Sequence, residues 1–121
     1  MKIPGPDHPI TIEPSAEHVR VTFNGKVIAD TTRALVLQEA AYKPVFYIPR
    51  EDAQLALLER TTNSTHCPYK GDAAYYSVRA GGRFSENAVW TYEQPYPAMA
   101  EIAGMLSFYP DRVEVAEVAD A

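Results

Sequence analysis

The chain has 121 residues, 46% apolar and 22% charged, enough to bury the core of one domain spanning residues 1–121 and too few for a second. Eleven basic against sixteen acidic residues leave a net charge of −5, which argues against nucleic acid as a partner, because phosphate affinity rests on Lys and Arg. A single cysteine, Cys67, excludes an intrachain disulfide framework and a cysteine-rich zinc site, and with no apolar run near the ~20 residues of a membrane helix and no apolar leader after Met1, a cytoplasmic protein with no membrane partner is expected.

Residues 1–9 carry three prolines and read as an extended arm ahead of a β core over 10–118. Ile10 and Ile12 mark a short strand. Val19, Val21 and Phe23 alternate with Arg20 and Thr22, Asn24-Gly25 follows, and Lys26 to Asp30 returns: a β-hairpin closed by a type I′ turn. Residues 34–40 and 45–48 read as strands. From Arg50 to Arg60 the pattern changes. Ala53, Ala56, Leu57 and Arg60 fall on one i, i+3, i+4 row, with Pro49 ahead and Glu51 and Asp52 in the first turn, so one amphipathic helix is predicted near 50–60. Thr61 to Ser64 end that helix, and Thr65 to Asp72 read as a polar loop. Residues 73–79 and 87–92 are strands, with Tyr75 and Tyr76 on opposite faces and Ala88, Trp90 and Tyr92 on one face. A helical turn over 98–104 and strands over 106–109 and 113–118 complete the chain. The expected fold is mainly β, or α+β with one short helix, built from about eight antiparallel strands.

Several segments together resemble one family. They are Ile28-Ala29-Asp30-Thr31, Arg33-Ala34, Glu39, residues 47–52 (YIPRED), residues 67–71 (CPYKG), Tyr75-Tyr76, residues 88–95 (AVWTYEQP) and Ser107-Phe108-Tyr109. In order and spacing, over roughly residues 18–115, they are similar to the family called domain of unknown function 427. The resemblance implies a small, mostly β domain related to the β-tent folds, in which two antiparallel sheets meet at an angle. The family carries a nominal nucleotidyltransferase label. Some β-tent relatives hold a Cys₄ zinc site, which one cysteine cannot supply.

The candidate chemistry gathers in the 65–72 segment. Cys67 is a potential nucleophile with His66 beside it in sequence, although a base must reach the thiol in space to activate it. Lys70 could meet a phosphate or carboxylate, and Gly71 would let the backbone approach a ligand. No Walker glycine pattern precedes Lys70, so a P-loop is excluded. Trp90 and Tyr92 share a face, and with Tyr47, Tyr69, Tyr75 and Tyr109 they could line an aromatic pocket suited to planar or cationic ligands. Glu39 ends an apolar strand and is either a hydrogen-bond acceptor or an acid/base group with a raised pKa. Arg33 sits six residues earlier, about 20 Å away along a regular strand, so each would find a partner across strands. His8 and His18 fit no metal spacing and read as exposed or capping, and no dinucleotide or metal motif calls for a cofactor. Glu114, Glu117 and Asp120 read as a solvated face and frayed end.

Three functional classes follow, in this order. The first is a module binding a small molecule among the aromatic residues and Lys70, with Arg33 in reach. The second is an enzyme on a phosphorylated or carbonyl substrate, using Glu39, His66 or Cys67. The third is a homo-oligomer in which the proline-rich arm covers a neighbour's sheet edge.

Overall fold

In the computed structural model, which describes residues 1–119, the predicted hairpin forms as its sequence requires. Asn24 and Gly25 both take positive φ (52° and 77°) between β2 (His18–Phe23) and β3 (Lys26–Thr31). The fold is mainly β and antiparallel, with ten strands among the described residues: β1 (Ile10–Pro14), β2, β3, β4 (Leu35–Glu39), β5 (Val45–Tyr47), β6 (Leu58–Cys67), β7 (Gly71–Ala80), β8 (Arg83–Thr91), β9 (Leu106–Phe108) and β10 (Glu114–Val118). Asp120, read as part of a frayed acidic end, lies outside the described residues.

The strands form three ladders, β1-β4-β5, β10-β2-β3 and β6-β7-β8-β9, where the family resemblance implied two sheets. A single bridge between Ile48 and Leu106, with both backbone hydrogen bonds made, ties β5 to β9. The four-stranded sheet therefore has a core on each face. Val78 and Ala80 of β7 join Val19, Val21 and Ile28 in one core. Ala73 and Tyr75 of the same strand join Leu37 of β4 and Tyr47 of β5 in the other. The expected opposition of Tyr75 and Tyr76 is what divides β7 between them, because successive side chains leave a strand on opposite faces. The alternation predicted for β8 slips. Ala88 and Val89 both enter the first core, while Trp90 faces the second, beyond the positive φ of Asn87 (49°).

The largest correction concerns the helix predicted near 50–60. Short helical turns occur there, but they are two 3-10 turns, Arg50–Asp52 and Leu55–Leu57, separated by extended Ala53 (φ −112°, ψ 152°). Ala53 bridges Ala29, and Gln54 N–H donates to Ile28 C=O at 2.7 Å, so β3 takes the backbone groups a helix would have used. From Leu58 the chain is strand. Leu58, Glu59 and Arg60 pair with Val78, Ser77 and Tyr76, and the ladder resumes at Ser64 and runs to Cys67. The expected polar loop over 65–72 thus shrinks to a three-residue turn at Pro68, Tyr69 and Lys70. The segment over 98–104 is a 3-10 stretch, Pro97–Ile102, that places buried Met99 and Ile102 in the second core. No helix among the described residues is long and apolar enough to cross a membrane.

Candidate functional site

Between β4-β5 and the four-stranded sheet the second core is not filled. A cavity of about 330 Å³ opens there, and Tyr47, Lys70, Tyr75, Trp90, Tyr92 and Tyr109 all line it. These side chains arrive from several parts of the fold. Tyr47 ends β5, where Pro49 stops the strand; Tyr75 is the inward residue of β7; Trp90 and Tyr92 lie two apart at the end of β8; Tyr109 follows β9. The rings touch. Trp90 and Tyr109 have centroids 4.4 Å apart, and Tyr47 meets the Trp90 ring edge-on at 6.4 Å.

The ring hydroxyls are partly engaged with one another. Thr65 Oγ1 and the Tyr75 hydroxyl are 2.9 Å apart, the Tyr75 and Tyr109 hydroxyls 3.3 Å, and Trp90 Nε1 donates to the Tyr47 hydroxyl at 3.4 Å. Burial pushes the Tyr47 hydroxyl up to about 12 and raises Tyr92 and Tyr109 as well, so all three are neutral donors at ordinary pH. Tyr92 is 7% exposed, and its hydroxyl makes no hydrogen bond to the described residues.

One wall is ionic. Lys70, only 7% exposed, donates from Nζ to Glu39 Oε1 at 2.5 Å, while His8 Nε2 lies 2.7 Å from Glu39 Oε2. Partial burial pushes the Glu39 carboxyl up, but the hydrogen bonds from Lys70 and His8 outweigh it and leave the group below its ordinary value. The raised-pKa acid allowed for at Glu39 is therefore replaced by a held carboxylate. Cys67 lines the same wall with Sγ 3.9 Å from Lys70 Nζ. Its sequence neighbour His66, at the cavity edge, is engaged at Nδ1 by Asp72 Oδ1 at 2.7 Å and stands edge-on to Tyr96. The thiol thus faces an ammonium rather than an imidazole base.

Two candidates lie elsewhere. Arg33 precedes β4 instead of belonging to it, and its guanidinium bonds Asp52 and Glu51 at 3.2 Å each. Tyr69 sits in the turn outside the cavity, its ring stacked on His8 at 4.2 Å and 10°. The role foreseen for Gly71 also changes. Its φ of 109° favours glycine, and its close neighbour is the protein's own backbone: a Cβ there would lie 3.6 Å from Gln94 C=O.

His8 is the residue that sequence reading missed, having been assigned an exposed or capping role. No local signal marks it. Its position follows from the register of β1 on β4: Ile10 pairs with Glu39, so the arm just ahead of Ile10 overshoots the strand end beside that carboxylate. The arm stays on its own chain, with Lys2 N–H donating to Pro68 C=O at 2.7 Å and Ala40 N–H to Pro9 C=O at 2.8 Å. His18 likewise pairs with a carboxylate, that of Asp30, which also receives Arg20 at 2.7 Å. Among the described residues no group of three or more His, Cys, Asp or Glu side chains is placed to hold a metal ion.

The family model described as a domain of unknown function (DUF427) matches residues 11–119 of the chain. The chain belongs to that family. The match takes in every cavity residue of this DUF427 domain named above and leaves out His8, which reaches the site from the arm. No curated protein matches the chain.

Proposed function

We propose that the domain binds a small, neutral, ring-bearing molecule in the cavity between β4-β5 and the four-stranded sheet. The observation that carries this reading is the convergence of Tyr47, Tyr75 and Trp90 from three strands, with Tyr92 and Tyr109 from just past the ends of β8 and β9, onto one unfilled space with the Glu39–Lys70 pair on its wall. The volume of about 330 Å³ falls at the small end of ligand pockets. Ring faces favour a flat guest, and the Tyr92 hydroxyl is available to one that accepts or donates a hydrogen bond.

Charge selects further. Glu39 already holds Lys70 and His8, so that wall answers its own charge, and the other ammonium lining the cavity, that of Lys43, is exposed to water at the rim, where an ion contact is worth little. A phosphate would have to take Lys70 from a carboxylate that then stays half-buried, which is costly. The anion contact expected for Lys70 is accordingly the weaker reading.

Trp90 is the only tryptophan, so its emission reports directly on the site. Titration with phenol and with uncharged nucleosides should give saturable changes in Trp90 emission and a raised melting temperature, and nucleotides, amines and sugars should give less. Tyr92→Phe should weaken phenol binding roughly 2- to 10-fold, the worth of one hydrogen bond, without moving the melting point of the free protein. Tighter binding of the anionic nucleotides, or no saturable response to any neutral ring, would end the proposal.

A further inference from the structure

A second hollow adjoins the first. It measures about 310 Å³, lies along β5, β9 and β10, and is walled by Phe46, Phe108, Pro110 and Val115. Every residue lining it is apolar or proline except Lys43. Trp90, Val45 and Lys43 line both hollows, so the Trp90 indole forms part of each wall. The two spaces are alike in volume and opposite in chemistry. One has hydroxyls and an ion pair, whereas the other is mostly apolar, with Lys43 at its rim. Open apolar surface of this kind is unfavourable in water unless something covers it.

We infer that the natural ligand is an amphiphile whose ring sits among the tyrosines and whose apolar chain passes Trp90 into the second hollow. The inference rests on the first cavity being a ligand site and adds the ligand's class: a ring carrying an aliphatic tail. A polar occupant gains little in the second hollow, where Lys43 at the rim is the one charged side chain among apolar walls. A second protein chain is the weaker occupant, since the hollow shares Trp90, Val45 and Lys43 with a cavity sized for a small molecule, and an inserted side chain would leave that cavity unfilled. Lys43, exposed at the shared rim, tolerates a carbonyl or ether oxygen at the junction of ring and tail.

A series of phenol, 4-ethylphenol, 4-propylphenol and 4-pentylphenol, followed by Trp90 emission, tests the inference. Binding should tighten roughly fourfold for each methylene placed in the hollow, the increment expected for burying that group. Val115→Phe fills the hollow and Val115→Asp makes it polar. Val115 lies on the outer strand β10, partly buried, and neither variant adds a tryptophan. Both variants should flatten the series to the affinity of phenol itself, with far-ultraviolet circular dichroism confirming that each is folded. Three results would overturn the inference. A flat series in the unaltered protein, with phenol still binding, removes the tail site and leaves the ring site standing. An equally steep series in both variants means that the chain binds elsewhere. No response of Trp90 to any member removes both readings.

Discussion

Against one face of the four-stranded sheet, β2 and β3 close a core in which Val19, Val21, Ile28, Val78 and Val89 have no exposure. Against the other, β4 and β5 close over tyrosine hydroxyls, a carboxylate, an ammonium and empty space. One sheet serves both because β7 sends Val78 to the first side and Tyr75 to the second. The sealed face gains from burial alone. The hollow face keeps its polar groups, the Tyr92 hydroxyl apart, satisfied among themselves, an arrangement that contributes less stability than an apolar filling of the same volume. On the proposed reading, stability rests mainly on one side of a single sheet and recognition on the other.

The sharpest way to break that division is to cut into each face in turn. Ile28→Ala, on the sealed side, should cost about 2–5 kcal/mol in urea denaturation, the range for truncating a buried Ile. Leu37→Ala, beside the existing cavity, should cost less, and equal losses would abolish the distinction. Next in size, Lys70→Met should cost about 1–3 kcal/mol at neutral pH, because it leaves the half-buried Glu39 with His8 alone. Glu39→Gln combined with Lys70→Met should recover much of that loss, since the unanswered charge is then gone.

Acid sharpens the same contrast. The Glu39 carboxyl lies below its ordinary 4.5, so its stabilising contribution is complete above 4.5 and is lost as pH falls through the lower folded value. Urea midpoints measured from pH 7 to pH 3 should therefore decline less for Glu39→Gln than for the unaltered chain. The smallest effect is expected for Tyr92→Phe, within about 0.5 kcal/mol of the parent in stability, since its hydroxyl makes no hydrogen bond to the described residues. A larger loss would mean that the ring is held by the fold and not free for a guest.

Strand alternation and turn chemistry were readable from the residues, because both act over two to six positions. Asn24-Gly25 specified its hairpin, and the parity of Tyr75, Trp90 and Tyr92 placed three cavity walls. The 50–60 segment misled for the opposite reason. Its apolar spacing suits a helix, but Ile28 and Ala29, more than twenty positions away, claim the backbone of Ala53 and Gln54, and β7 claims Leu58 to Arg60. Such long-range pairing leaves no periodic trace. The same limit hid the His8–Glu39–Lys70 wall, whose members come from the arm, β4 and a turn. Arg33 misled on a smaller scale: β4 begins only at Leu35, two residues beyond Arg33, which releases the guanidinium to Asp52.

The docking of the arm has a practical side. Lys2 anchors to Pro68 and sits over the Tyr69 ring (5.9 Å), one turn away from the ammonium that holds Glu39. A purification tag fused ahead of Met1 is thereby delivered to the doorstep of the cavity, and a run of added histidines could displace His8 from its carboxylate. Preparations for ligand screening are better handled from the opposite terminus, or with the leader cleaved before any titration begins.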